Sequence, residues 1–256
     1  MKVVVLAGGY GTRLAEETDL RPKALIEIGG RPVLWHILKH YAHYGFREFY
    51  IALGYKSEAI KRYFLDHYTL SGGLTVDLAN GSIRRHEKER EDWVVHLIDT
   101  GLDTNTGGRV KRLQPLLGDD PFMLTYCDGV SDVDLIRLAQ FHRASRRIAT
   151  VTAVRPPSRF GGLVIEGDHV KNFTEKPQIG EGWINGGFLV LDPKIFDYCE
   201  GDASSLEADM LERVAQDGQL SAYRHESFWQ CMDTLRDRRL LDRLWGGGSP
   251  AWKVWQ

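Results

Sequence analysis

A glycine-rich loop directly after a short β-branched run is the feature that most constrains this chain. Residues Val3–Leu14 read VVVLAGGYGTRL, and the apolar start of this run predicts a buried strand. Gly8, Gly9 and Gly11 lack a Cβ, so the backbone N–H groups after the strand can come close to a phosphate. Arg13 can add a charge-assisted contact. The sequence therefore predicts a phosphate-binding loop at the end of an N-terminal strand.

Two common phosphate loops do not fit this sequence. A dinucleotide-binding fingerprint needs a small third residue, and counting from Gly9 that position is Leu14. A Walker A loop needs a Gly-Lys pair, which occurs nowhere in the chain. For a single glycine, a strand-to-helix turn would be the better interpretation. Three glycines followed by Thr12 and Arg13 favour a ligand-binding loop.

Strand and helix signals alternate through the first half of the chain, which predicts an α/β fold with a mostly parallel, Rossmann-like sheet and helices on both faces. Ligands in such folds bind beyond the carboxyl ends of the strands. Predicted strands cover Lys2–Leu6, Glu48–Leu53, Leu74–Leu78, Trp93–Ile98 and Phe122–Tyr126, and predicted helices carry Val33–Tyr41 and begin at Ser57. The loops Ala7–Arg13, Gly54-Tyr55, Asp99–Arg109 and Asp128-Gly129 should converge on one crevice.

The pattern changes after residue 150, where strands follow one another with few helices between them. This predicts a small antiparallel extension of the same sheet. The strands expected there are Ala149–Val154, Leu163–Ile165, Val170–Phe173 and Trp183–Leu191, followed by amphipathic helices at Ser205–Gln216 and Asp233–Trp245. The highly charged stretch Asn80–Asp92 is too polar for a core and is interpreted as an exposed, mobile insertion. We expect a single domain, with residues 1–150 mainly for nucleotide, 151–235 mainly for sugar phosphate and 236–256 as a C-terminal helix and tail.

Composition excludes several other classes of protein. The 256 residues carry 33 Lys+Arg and 35 Asp+Glu, a formal net charge of −2 that gives no reason to expect nucleic-acid binding. No uninterrupted apolar run is longer than that of Val3–Ala7, which is far below the ~20 residues that span a membrane. The three cysteines are far apart and form no CxxC pair, which argues against disulfides and structural zinc. A reducing cytoplasm fits this usage.

The loop also carries a family resemblance. Leu6–Leu14 (LAGGYGTRL) with Pro22-Lys23 resembles the signature of the sugar-1-phosphate nucleotidylyltransferases. These enzymes join a nucleoside triphosphate to a sugar 1-phosphate, release pyrophosphate and share the nucleotide-diphospho-sugar transferase fold. Further blocks, which lie in order along nearly the whole chain, resemble the glucose-1-phosphate cytidylyltransferases: Leu14–Lys23, Gly29–His36, Asp99–Gly101, Thr106–Arg109, Phe160-Gly161, Glu175–Pro177, Ile184–Gly187, Phe228–Asp237 and Ala251–Trp255.

The resemblance implies which residues bind nucleotide and which carry out catalysis. It implies that the loop wraps the triphosphate and that Arg13 and Lys23 neutralise phosphate charge. Asp128 and Asp233 would bind Mg²⁺, as their counterparts do; without the resemblance, a turn aspartate and a helix N-cap would be the better interpretations. The implied nucleotide-binding set is Leu6, Ala7, Gly8, Gly9, Gly11, Thr12, Arg13, Lys23, Thr106, Gly107 and Arg109. Base selection falls to Ala7-Gly8 and the Thr106–Arg109 turn, whose free N–H groups suit either cytosine or triphosphate.

The sugar phosphate is assigned to the second half of the chain. By resemblance, Glu175 binds sugar hydroxyls and Lys176 meets the sugar phosphate, and the structural alternative for them is a surface salt bridge. The full sugar-phosphate set is Gly129, Glu175, Lys176, Asn185 and Gly186. The reaction needs charge neutralisation between two polyanions rather than a strong general base, and Mg²⁺ with carboxylates and a few cations supplies it.

Several residues depart from the family pattern and leave alternatives open. Ala24 follows Lys23 where a proline is usual, Cys127 precedes Asp128 in place of a small residue, and Cys231 replaces a proline. A different nucleotide or sugar 1-phosphate, or a non-catalytic nucleotide-sugar-binding relative, therefore remains as an alternative, and a Rossmann oxidoreductase fits less well. We expect a homo-oligomer. The Trp-rich tail after residue 245 should pack either on its own domain or on a neighbouring subunit.

Overall fold

A computed structural model describes residues 1–11, 18, 21–70, 72–86, 91–156, 162–166, 169–174 and 182–255. In chain order, the strands are β1 Val3–Ala7, β2 Glu27–Ile28, β3 Arg31–Pro32, β4 Glu48–Leu53, β5 Gly73–Asp77, β6 Ser82–His86, β7 Val94–Asp99, β8 Phe122–Tyr126, β9 Gly129–Ser131, β10 Ala149–Val154, β11 Gly162–Glu166, β12 His169–Thr174, β13 Ile184–Leu191, β14 Leu220–His225 and β15 Trp229–Cys231.

The α-helices of these described ranges are α1 Val33–His43, α2 Ser57–Leu70, α3 Thr106–Arg112, α4 Gln114–Leu117, α5 Leu135–Ser145, α6 Glu212–Gln216 and α7 Leu235–Gly246. Short 3-10 helices cover Lys23–Leu25 and Pro193–Tyr198, and a π-helical turn over Leu206–Leu211 leads into α6. None of the helices in the described part of the chain is both long and apolar enough to cross a membrane.

The central sheet has seven strands within the described residues, in the order β14-β10-β13-β8-β1-β4-β7. β1 pairs in parallel with β4 and β8, and β4 pairs in parallel with β7. β13 alone among these seven runs antiparallel, to both β8 and β10. The expected mostly parallel sheet with an antiparallel addition is therefore confirmed.

Burial explains why β1 lies at the centre of this sheet. Its alternate side chains enter two separate cores: Val3, Val5 and Ala7 pack on one face, and Val4 and Leu6 on the other. A strand covered on both faces has to be apolar throughout, as the VVVLA run is. The glycine loop therefore starts from a fixed position at the carboxyl edge of the sheet.

Several sequence-based boundaries were wrong. The charged insertion Asn80–Asp92 is largely exposed where it is described, as expected, but part of it forms β6, which pairs with β5 in a hairpin that was not predicted. β11 and β12 form their own two-stranded sheet rather than extending the central one. The helix predicted over Ser205–Gln216 is divided into the π-helical turn and α6. The short strands β2, β3, β9 and β15, and the edge strand β14, were not predicted.

The Trp-rich tail packs on its own domain. Trp252 is fully buried, and its Nε1 donates to Nδ1 of His36 at 3.4 Å. The Nε2 of His36 lies 2.9 Å from the carbonyl oxygen of Ile28, so this buried imidazole is neutral with its proton on Nε2. A Cβ at Gly29 would lie 1.9 Å from the Trp245 ring, which explains the glycine there. The tail thus fixes the Gly29-Gly30 turn and the start of α1.

A second buried histidine, His40, should make the free energy of unfolding depend on pH. His40 is 3% exposed, its Nε2 donates to the Val133 carbonyl at 2.9 Å, and burial lowers its pKa from 6.5 to about 4. Between these two pKa values, His40 is protonated in the unfolded chain and neutral in the folded chain. Stability is complete above pH 6.5 and falls as the pH drops towards 4.

We expect His40→Gln, which keeps the donor to Val133, to flatten this dependence. The variant should lose roughly 2 kcal/mol less of its unfolding free energy than wild type between pH 7 and pH 5. Chemical denaturation at the two pH values measures this difference. Equal pH dependence in both proteins would show that His40 does not contribute.

Candidate functional site

Three charged side chains from distant parts of the sequence meet beyond the carboxyl edge of the sheet. Lys23 begins a 3-10 helix, Asp128 joins β8 to β9, and Asp233 lies between β15 and α7. β9 and β15 pair with Gly129 opposite Cys231, and the N–H of Met232 donates to the Asp128 carbonyl at 2.8 Å. This small sheet brings the two aspartates together.

The Lys23 ammonium bridges the two carboxylates. Its Nζ lies 2.6 Å from Oδ2 of Asp128 and 2.6 Å from Oδ1 of Asp233. Burial on its own would lower the pKa of Lys23, but the two carboxylates outweigh that effect and raise the pKa above its usual value. Lys23 is therefore a permanent cation. Asp128 lies in the bend between β8 and β9 but is paired with Lys23 and only 28% exposed, and Thr234 rather than Asp233 caps α7.

Two cavities open on either side of this charged cluster. We call the first the loop cavity; it has a volume of about 770 Å³ and lies against the glycine loop. The second, the strand cavity, has a volume of about 1010 Å³ and lies against the start of β13 and β15. Tyr126, Asp128 and Asp233 line both cavities. The two carboxylates thus stand where the contents of the two cavities would meet.

Most of the predicted nucleotide residues that the structure describes line the loop cavity: Leu6, Gly8, Gly9, Gly11, Lys23, Thr106 and Arg109. Ala7 and Gly107 are absent from its described lining. A Cβ built at Gly9 would meet no atom of the described residues within 4 Å, so packing against that part of the chain does not explain this glycine. Thr12 and Arg13 lie outside the described residues.

Arg109 has a structural role in addition to lining the cavity. It is 5% exposed, and its guanidinium donates to the carbonyls of Leu53 at 3.1 Å, Gly101 at 2.6 Å and Leu102 at 3.0 Å. A Cβ at Gly8 would lie 2.5 Å from this guanidinium. Arg109 therefore holds the loops after β4 and β7 against the glycine loop, and direct nucleotide binding by Arg109 stays a prediction.

The glycine pair at the start of α3 also has a packing explanation. A Cβ at Gly107 would lie 2.7 Å from Met210, and one at Gly108 would lie 2.6 Å from the backbone of Asp202. Asn105 caps the helix, as its side chain accepts from the N–H of Thr106. Thr106 therefore begins helix α3, and nucleotide binding by Gly107 stays a prediction.

The strand cavity contains the described residues that were assigned to the sugar phosphate, Gly129, Asn185 and Gly186. The N–H of Gly187 donates to Oδ1 of Asn185 at 2.9 Å, and Trp229 donates through Nε1 to the Gly186 carbonyl at 2.7 Å. Glu175 and Lys176 lie outside the described residues.

Two further residues at the site, Tyr126 and Glu207, were not predicted from the sequence. The Tyr126 hydroxyl donates to Oε1 of Glu207, and both side chains line the strand cavity. Burial, and then the Glu207 charge, raise the pKa of Tyr126 above its usual value. Tyr126 could have been suspected because it ends β8 two residues before Asp128, whereas Glu207 is 81 residues away in sequence.

The two unusual cysteines stand on opposite sides of the cluster. Cys127 lines the loop cavity and Cys231 lines the strand cavity. Burial, and then the neighbouring aspartates, raise the pKa of Cys127 to about 12 and that of Cys231 to about 11. Both thiols are therefore protonated near neutral pH and add no charge to the site.

The donor set fits a hard cation. In the described part of the chain, no three His, Cys, Asp or Glu residues are grouped to hold a metal ion. Asp128 and Asp233, however, already direct oxygens at one cation, the Lys23 ammonium. Two carboxylates are what Mg²⁺ takes from a protein when substrate phosphates and water complete its shell.

Comparison with known proteins identifies the family. Residues 2–242 match the family model described as nucleotidyl transferase. The chain belongs to the nucleotidyl transferase family. This nucleotidyl transferase is 46% identical over 257 residues to the glucose-1-phosphate cytidylyltransferase of Salmonella typhi, with all of both chains covered. It is 43% identical over the full length of both chains to the probable glucose-1-phosphate cytidylyltransferase of Bacillus subtilis.

A solved structure confirms the fold of this nucleotidyl transferase. The putative glucose-1-phosphate thymidylyltransferase of Bacillus anthracis superposes with a TM-score of 0.67 at 18% identity, covering 100% of this chain and 97% of that one. The expected nucleotide-diphospho-sugar transferase fold is therefore confirmed.

Proposed function

We propose that this nucleotidyl transferase joins CTP to glucose 1-phosphate with release of pyrophosphate. The observation that carries the proposal is the pair of cavities that share Asp128 and Asp233. A transferase of this kind has to hold two anionic substrates end to end. The full-length similarity to glucose-1-phosphate cytidylyltransferases supports cytosine as the base and glucose as the sugar.

The nucleotide occupies the loop cavity, with its triphosphate against the glycine loop. Backbone N–H groups there can donate to phosphate oxygens, and the bare Cα of Gly9 allows a close approach. The hexose 1-phosphate occupies the strand cavity, where Asn185 and Tyr126 offer polar groups to its hydroxyls. A sugar phosphate oxygen attacks the α-phosphorus, a new P–O bond forms, and the bond to the leaving pyrophosphate breaks.

Catalysis in this arrangement depends on positioning and charge rather than on a strong base, because the sugar phosphate is already an anion. Lys23, held by two carboxylates, is fixed at the junction of the cavities, where it can stabilise charge that develops on the phosphates. Arg13 and Lys176 are proposed to add positive charge on the nucleotide and sugar sides.

Asp128 and Asp233 would hold Mg²⁺ together with substrate phosphates. When bound, the ion would neutralise phosphate charge and orient the two reacting groups. Both aspartates already contact the Lys23 ammonium. Binding of Mg²⁺ would therefore require the carboxylates to share their oxygens between the two cations or to exchange Lys23 for the ion.

The decisive experiment is a pyrophosphate-release assay of the purified chain with CTP, UTP, dTTP, ATP and GTP against several hexose 1-phosphates, each with and without Mg²⁺. We expect strong turnover only with CTP, glucose 1-phosphate and Mg²⁺. Turnover with another nucleoside triphosphate and hexose 1-phosphate would support the type of reaction but contradict the proposed substrates. No turnover with any pair would reject catalysis and favour a nucleotide-sugar-binding protein.

Gly9→Ala tests the placement of the triphosphate. Since the added methyl group meets no atom within the described ranges of the chain, the variant should unfold at the wild-type temperature. We expect the KM for CTP to rise by about tenfold, on the scale of 1.4 kcal/mol, because the methyl group keeps phosphate away from the backbone. Gly246→Ala, also in open space but outside both cavities, is the matched control. An unchanged KM for CTP in Gly9→Ala would argue against this placement.

A further inference from the structure

We propose that Glu207 is a positioning residue for sugar recognition: it takes the hydrogen bond of the Tyr126 hydroxyl and leaves the Tyr126 oxygen as an acceptor for one hexose hydroxyl. This inference rests on the proposed function, because it concerns the sugar in the strand cavity. It assigns a role to two residues that line that cavity and that the charge-neutralising chemistry does not use.

The carboxylate of Glu207 is held by three hydroxyl groups. Oε1 accepts from Tyr126, and Oε2 accepts from Thr106 Oγ1 at 2.7 Å and from Ser205 Oγ at 2.9 Å. An ionised carboxylate can only accept hydrogen bonds, so all three hydroxyls have to donate. Glu207 also lies in the first turn of the π-helical segment, a type of irregularity that is frequent at functional sites.

The consequence for Tyr126 follows from its single hydroxyl proton. Once that proton is donated to Glu207, the phenolic oxygen has only lone pairs to offer. The ring is also held in place, because a Cβ at Gly187 would lie 2.8 Å from Cδ2 of Tyr126. Gly187 has a φ of +83°, a conformation that favours glycine. Tyr126 therefore presents a fixed acceptor to the strand cavity.

Asn185 supplies the complementary donor. Its Oδ1 accepts from the N–H of Gly187 at 2.9 Å, so its amide NH₂ is the donor side of the group. That NH₂ forms a hydrogen bond with the Tyr126 side chain and has a second N–H for a ligand, while the Tyr126 oxygen keeps a further lone pair. Asn185 and Tyr126 both line the strand cavity. One sugar hydroxyl can donate to Tyr126 and accept from Asn185, and a sugar that lacks this hydroxyl loses both contacts.

Glu207→Gln should change the direction of the hydrogen bond with Tyr126 while keeping the size of the side chain. A glutamine at this position has an NH₂ group that can donate to Tyr126, which frees the tyrosine proton to point into the cavity. Tyr126→Phe removes the acceptor altogether. If Glu207 acts through Tyr126, the double variant should behave like Tyr126→Phe alone.

The test measures kcat/KM for glucose 1-phosphate and its 2-, 3-, 4- and 6-deoxy analogues at saturating CTP. We expect wild type to discriminate about tenfold against one analogue, on the scale of a lost hydrogen-bonded contact. Tyr126→Phe, Glu207→Gln and the double variant should each lose that discrimination. Ser205→Ala removes another hydroxyl that donates to Glu207. This variant should have a lower unfolding temperature but should keep the wild-type discrimination against the analogue.

The outcomes separate this inference from the proposed function. If wild type makes no CDP-glucose from CTP and glucose 1-phosphate, both proposals fail. If wild type turns over but every variant keeps the wild-type discrimination, or if the double variant shows additive losses, only the role of Glu207 is overturned. Tyr126→Phe leaves the Thr106 and Ser205 contacts of Glu207 in place, so it decides the question even if Glu207→Gln does not fold.

Discussion

Asp233→Asn is expected to reduce kcat by about 10³-fold or more, at the upper end of the losses seen when one preorganised electrostatic group is removed. The substitution keeps the size of the side chain but removes a negative charge 2.6 Å from Lys23, at the junction of the two cavities. Affinity for CTP should fall much less, because the contacts of the glycine loop remain. Steady-state kinetics and calorimetric titration with CTP measure the two effects.

The same variant should bind a divalent cation more weakly, which can be followed with Mn²⁺ in the absence of turnover. Asp120→Asn is a suitable control, since Asp120 is an exposed carboxylate that lines neither cavity. Wild-type kcat in Asp233→Asn would remove Asp233 from the mechanism.

Lys23→Met is the second substitution with a large expected effect. Methionine retains much of the apolar stem and removes the ammonium, so kcat/KM should fall by the equivalent of ~2–4 kcal/mol, the loss typical of one preorganised electrostatic contact. The rate should fall in both Lys23→Met and Asp233→Asn, but the first variant loses a positive charge and the second a negative charge.

Metal affinity distinguishes the two variants. Because the ammonium lies within 2.6 Å of both carboxylates, removing it leaves two negative groups that repel each other and attract a cation. Lys23→Met should therefore bind Mn²⁺ more tightly than wild type, whereas Asp233→Asn should bind it less tightly. Normal kcat/KM in Lys23→Met would refute a catalytic role for Lys23, and weaker Mn²⁺ binding would refute this account of the cluster.

The sequence was sufficient for the fold, and it named Lys23, Asp128 and Asp233, which the structure brings together, as candidate site residues. Strands such as Glu48–Leu53 and Phe122–Tyr126 were predicted to the residue because buried parallel strands read as mostly apolar runs, here FYIAL and FML with one polar residue in each strand. The placement of Asp128 beyond such a strand follows from the general behaviour of α/β sheets. These predictions depend on local pattern, which a single sequence contains.

The sequence was less informative where a contact joins distant segments. Glu207 accepts hydrogen bonds from Tyr126, 81 residues away, and from Thr106, 101 residues away, and no local pattern reports such contacts. Glycines at positions 107 and 108 suggested ligand approach, but the residues that require them are Met210 and Asp202 on another segment. The short strands β9 and β15 were missed because three residues carry too little periodicity to recognise.

The contact between Lys23 and Asp233 spans 210 residues. A ribosome delivers the first of these side chains long before the second, and the tail that steadies the Gly29-Gly30 turn is delivered later still. The central strands can assemble during synthesis, but the charged cluster cannot close until the chain beyond Asp233 has emerged. A growing polypeptide can therefore pair Lys23 with Asp128 before Asp233 emerges, and the second carboxylate joins this pair only after all seven strands of the central sheet have been synthesised.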